Sequence, residues 1–91
     1  MRQAPDYFGD KDLELVYIAK KLSEAQRLED LLTQAGLDYL VEPDRYMGGI
    51  ILRRELVGAF FYVDPRNVDL TRNTMQQGGF KPYLTGPSGG S

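Results

Sequence analysis

Leu13–Leu37, LELVYIAKKLSEAQRLEDLLTQAGL, decides how the chain folds. Its first eight residues, Leu13–Lys20, are apolar, β-branched and aromatic in the centre, which predicts a buried strand. Alternation along that strand sends Leu15, Tyr17 and Ala19 to one side and Val16 and Ile18 to the other. The next stretch predicts a helix. Ser23 stands as N-cap with Gln26 three residues on as its capping-box partner. Ala25, Leu28, Leu31, Leu32 and Ala35 form an apolar stripe at the helical period, with Glu24, Arg27, Glu29, Asp30 and Gln34 outside it. Gly36 supplies a left-handed stop, and Leu37 folds back on Leu32.

Working outward, Asp38–Glu42 predicts a short second strand ended by Pro43, and Val57–Asp64 a third. Asp64-Pro65 opens a second helix, with proline at its first position, that runs to about Gln77 and stops at Gly78-Gly79. The apolar face of this helix is thin: Val68, Thr71 and Met75, with Leu70 as a further candidate. Phe80–Leu84 predicts a fourth strand, at a sheet edge because it contains Pro82. The order β-α-β-β-α-β folds through right-handed crossovers into a ferredoxin-like α+β sandwich. That is one four-stranded antiparallel sheet with both helices on one face. The domain spans residues 13–84, between a flexible N-terminal arm (1–12) and a flexible Gly/Ser-rich tail (85–91).

Nothing in this order covers the second sheet face. The helix side takes Val16 and Ile18 with Val57, Ala59, Phe61 and Val63. Leu15, Tyr17, Phe60 and Tyr62 are then left on the open face as a candidate interface. An apolar patch of that size calls for cover by self-association, by the arm around Tyr7-Phe8, or by another macromolecule. Single-stranded RNA is the weakest of these. The RNA-recognition motif shares the element order, Val16-Tyr17-Ile18 resembles its first-strand signature, and Gly58–Tyr62 loosely echoes its third-strand one. Lys20-Lys21 and Val57 depart from that pattern, and the sequence pI is about 5.0.

The connection Pro43–Leu56, PDRYMGGIILRREL, is much longer than a hairpin needs. Gly48-Gly49 leaves backbone amides accessible, and Arg45, Arg53 and Arg54 bring guanidinium forks that match anion geometry. These five residues are the candidate ligand or anion site. The plainer alternative is that Gly48-Gly49 turns the chain, Ile50–Leu52 extends the sheet and the arginines stay in water.

Composition narrows the chemistry. The 91 residues hold no cysteine and no histidine, and the formal net charge is −2. Disulfides, thiol nucleophiles, Cys/His metal sites and histidine-based catalysis are excluded, and there is no global attraction to phosphate-rich polymers. Asp10, Asp12 and Glu14 alternate like calcium ligands, but an EF-hand loop starting at Asp10 would put Leu15 and Lys21 at its glycine and glutamate positions. Glu42, Asp44 and Glu55 lack any spacing that marks a catalytic pair. The reading is therefore a non-enzyme with no catalytic, metal or cofactor residues. No stretch approaches the ~20 apolar residues of a membrane span and no leader opens the chain, which predicts a cytoplasmic protein without a membrane partner.

Tyr17-x-Ala19, Glu24-Ala25, Leu31-Leu32-x-x-Ala35-Gly36-Leu37, Gly48-Gly49 and Phe61-x-Val63-Asp64-Pro65 together resemble a small prokaryotic family of signal-transducing proteins with a PII-like, ferredoxin-like domain. The resemblance covers residues 13 to 80. It implies a regulatory homo-oligomer that binds a small ligand or a partner protein, using the loop between the second and third strands and a cleft between subunits. No PII phosphate-binding motif is recognisable, and the loop is shorter.

Overall fold

A computed structural model describes residues 1–9, 12–48 and 54–83. Five main elements run in chain order: β1 (Glu14–Ala19), α1 (Leu22–Gln34), β2 (Leu40–Gly48), β3 (Arg54–Val63) and α2 (Val68–Gln77). The described strands form one antiparallel sheet in the order β1-β3-β2. One apolar core joins both helices to one face of that sheet: Ala25, Leu28 and Leu32 from α1, Val68 and Met75 from α2, and Val16, Phe61 and Val63 beneath them. Tyr39 closes the core, its ring stacked on Phe61 at 5.8 Å and its hydroxyl 3.2 Å from both Thr33 Oγ1 and the Glu29 carbonyl. Burial pushes the Tyr39 phenol up.

Both helices end on the same device. Gly36 and Gly79 have φ of 74° and 87°. Leu37 N–H donates to Leu32 O and Gly36 N–H to Thr33 O; Phe80 N–H donates to Met75 O and Gly79 N–H to Gln76 O. In each Schellman turn the residue after the glycine is buried in the core with its partner one turn back, Leu37 with Leu32 and Phe80 with Met75. The helix starts are less regular. α1 begins at Leu22 with Lys21 as N-cap and no side-chain cap, so the Ser23–Gln26 capping box is not formed. Glu24 instead ties the strand exit to the helix, accepting the Lys20 N–H at 3.0 Å. Asp64 caps as expected, but onto a 3-10 turn (Pro65–Asn67) that precedes α2.

Three further expectations are corrected. Strand alternation fails at Val16, where β1 carries a bulge: Leu15 pairs with Tyr62, yet Tyr17 pairs with Phe61. The extra residue turns Tyr17 and Ala19 to the helix side and Ile18 to the open side. The 43–56 connection is mostly strand. β2 and β3 pair from Leu40↔Tyr62 out to Gly48↔Arg54, a ribbon reaching past the end of β1, whose pairing stops at Ala19↔Ala59. Pro43 does not end β2, because β2 is an edge strand whose outer side needs no N–H. The third concerns the sheet, which has three strands among the described residues rather than four. Tyr83 N–H donates to Val16 O at 2.6 Å, placing Phe80–Tyr83 along the free edge of β1, but Pro82 has no N–H to extend a ladder. Leu84 and the tail lie outside the described residues.

The first residues fold back onto the body rather than standing off as an arm. Arg2 bridges Tyr39 in parallel, Pro5–Phe8 forms a 3-10 turn, and Phe8 is buried. Asp38 fastens this segment: Gln3 Nε2 donates to it at 3.1 Å and Tyr7 Oη at 3.0 Å. These bonds, with the Met1 amino group nearby, hold the Asp38 carboxyl below its ordinary pKa. A depressed carboxylate stabilises docking above its free value of about 4, and the contribution is lost as pH falls through the lower folded value. Tyr7 ring resonances are expected to move to free-tyrosine positions on acidification below about pH 4, and to sit there at every pH in Asp38→Ala. Unchanged Tyr7 shifts through that range would contradict the fastening.

Candidate functional site

A cleft of about 760 Å³ wraps the end of β1, within the ~300–1,000 Å³ range of small-molecule sites. Four parts of the chain build it. β1 runs into it with Tyr17, Ile18 and, just past the strand, Lys20; the β2 ribbon gives Tyr46 and Met47; α1 gives Glu24; and the segment after α2 gives Lys81, Pro82 and Tyr83.

Each wall has a local reason. The bulge at Val16 turns Tyr17 toward α1, where its hydroxyl donates to Glu24 Oε2 at 2.9 Å and its ring meets Phe80 edge-on at 5.6 Å. Burial first, then the bond to Glu24, push the Tyr17 phenol up to about 12. At neutral pH it keeps its proton and presents a ring rather than a basic oxygen. The two oxygens of Glu24 accept from Tyr17 and from the Lys20 N–H, pinning the strand exit to the first turn of α1. Across the cleft Tyr46 lies over Gly58: a Cβ there would come within 3.1 Å of its ring and 3.0 Å of Ile18. The Lys20 ammonium sits 5.5 Å from the Tyr46 ring centroid, a cation–π contact. Two lysines, three tyrosines and one already-bonded carboxylate therefore line one opening. Chemically, such a lining suits a small anion with a flat or apolar portion.

Of the described residues singled out by sequence, Tyr17 lines this cleft and the others do not. Among the described residues Arg45 does not line the cleft; its guanidinium bonds Glu55 Oε1 at 3.1 Å, with the Arg45 side chain 70 % exposed. Gly48 is a strand residue paired through the backbone with Arg54. Gly49 and Arg53 lie outside the described residues, as do Ile50–Leu52. Of the expected interface, Leu15, Phe60 and Tyr62 share the open face, Leu15 and Leu40 flanking Tyr62 in the ladder. Tyr17 does not, and Ile18 takes its place opposite Phe60. That face is less bare than expected: Phe60 and Leu40 are buried, and Leu15, Ile18 and Tyr62 are half-buried. Glu42 and Asp44 stand on it too, and after burial their charge raises the Tyr62 phenol.

Lys20, Glu24, Tyr46, Lys81 and Tyr83 carried no local signal. They lie on four separated stretches, and only the ribbon pairing and the return of residues 80–83 to β1 bring them together. Among the described residues no three carboxylates meet where they could hold a metal ion, and no helix is long and apolar enough to cross a membrane. No family model matches the chain, and no curated protein or solved structure matches it.

Proposed function

We propose that this chain is a non-enzymatic regulatory module that binds a small anionic ligand in the cleft between β1, the β2–β3 ribbon and the segment after α2. The convergence of Lys20 and Lys81 with the Tyr17, Tyr46 and Tyr83 rings on one cavity carries the reading. The fold is read as ferredoxin-like, with Phe80–Tyr83 in the position of a fourth strand beside β1; the 1-3-2 order and the Tyr83–Val16 bond support this. The resemblance to PII-like signal-transducing domains adds to the reading of a regulatory module, since it implies a partner contact through the loop between the second and third strands and ligands held in clefts between subunits. A cytoplasmic homo-oligomer is part of the proposal, its contact the half-buried open face around Leu15, Ile18 and Tyr62. The acids Glu42 and Asp44 on that face disfavour a nucleic-acid backbone.

Inorganic pyrophosphate is a suitable first probe. Titrated into the isotopically labelled chain, it should move the amide signals of Lys20, Tyr46, Lys81 and Tyr83. Lys20→Ala with Lys81→Ala should weaken binding at least about tenfold, equivalent to ~1.4 kcal/mol, with Tm nearly unchanged. Shifts elsewhere, or none, would remove the reading.

A further inference from the structure

A second concavity runs along the opposite side of the ribbon and shares Lys20 alone with the cleft. One wall is α1, where Leu22, Ala25 and Glu29 fall on one helical face; the other is the helix-side face of the ribbon, with Pro43 and Val57. The volume between them is about 410 Å³. Leu22 is 74 % exposed and Val57 66 % exposed. The two side chains line the same strip. β3 runs on past the end of β1, whose pairing stops at Ala19↔Ala59, so Val57 faces the helix side by register yet stays exposed.

The rim is charged. Arg2 and Lys21 line the groove with the stem of Lys20, whose ammonium rests on Tyr46 in the cleft, and one carboxylate, Glu29, faces the Arg2 guanidinium at 3.8 Å. This cationic surplus sits on a chain whose net charge is −2. We infer that the groove docks a short segment of a partner protein carrying a large apolar anchor beside acidic residues. The anchor enters between Leu22 and Val57, and the carboxylates meet Lys21 and its neighbours. Apolar contact supplies the affinity, while the rim selects the acidic segment and speeds its approach.

Short random peptides selected on the full-length chain, then measured by fluorescence anisotropy, test this. Enriched peptides should combine a large apolar residue with Asp or Glu. Leu22→Asp and Val57→Asp should each weaken them at least about tenfold, and Lys21→Glu should weaken them and flatten the salt dependence. Lys81→Ala, which alters only the cleft, should leave them bound. Leu22 is exposed at the helix start, so Leu22→Asp keeps the test readable if Val57→Asp perturbs the strand. Enriched peptides without acids, or binding indifferent to Leu22→Asp, would overturn the inference. So would binding of phosphatidylserine vesicles, or a dimer abolished by Leu22→Asp, without any peptide selected.

Discussion

Phe61→Ala is expected to cost about 3–5 kcal/mol, while Tyr62→Ala, one residue along, costs about 1 kcal/mol. Phe61 is fully buried, stacked on Tyr39 and paired with Tyr17 beneath the helices. Removing its ring leaves a cavity that the surrounding core, Leu28, Leu32 and Met75 among it, cannot fill without losing its own packing. Tyr62 points the other way and is half-buried, so truncation mainly exposes its neighbours. A domain of this length holds roughly 5–14 kcal/mol in total, so the first variant is near the limit of folding. At about 4–8 °C per kcal/mol its Tm falls by at least ~12 °C. Equal losses for the two variants in thermal or urea melts would contradict the sidedness of β3.

Gly58→Val should lower stability by about 1–3 kcal/mol through overpacking and also weaken anion binding. The added Cβ would meet the Ala19 carbonyl at 3.1 Å, Ile18 Cγ2 at 3.0 Å and Tyr46 Cε1 at 3.1 Å. The carbonyl belongs to β1 and cannot yield without breaking the ladder. The Tyr46 ring, on the outlying ribbon, is what moves, and the Lys20 ammonium loses the face it rests on. The two effects separate in measurement: stability in melts, ring displacement in the Tyr46 aromatic resonances. Unmoved Tyr46 resonances with intact pyrophosphate binding would show that the glycine does not shape the cleft.

Much of this architecture is legible in local patterns. The stripe Ala25, Leu28, Leu32 and the stop at Gly36-Leu37 identify α1 because a helical period and a Schellman turn are short-range features. Asp64-Pro65 and Gly78-Gly79 bracket the second helical segment for the same reason. Strand sidedness was not legible. Leu15–Ala19 is apolar at every position, so alternation has nothing to register against, and one bulged residue at Val16 reverses Tyr17, Ile18 and Ala19. Pro43 read as a strand end because proline is costly inside a sheet. Only the sheet order shows that β2 is an edge. The arginines drew attention by charge, whereas the cleft is built from lysines and tyrosines whose neighbours are set by tertiary return. Lys20 and Lys81 meet only because residues 80–83 come back along β1.

Both the cleft and the corrected sheet depend on which side of β1 Tyr17 occupies, and proton–proton Overhauser contacts of its ring read that directly. Cross-peaks from the Tyr17 ring to the Phe80 ring and to Glu24 side-chain protons are expected, with Tyr46 ring contacts to the Gly58 α-protons completing the opposite wall. Tyr17 cross-peaks to Leu15 and Tyr62 instead would put the ring on the open face, and the site described here would not exist.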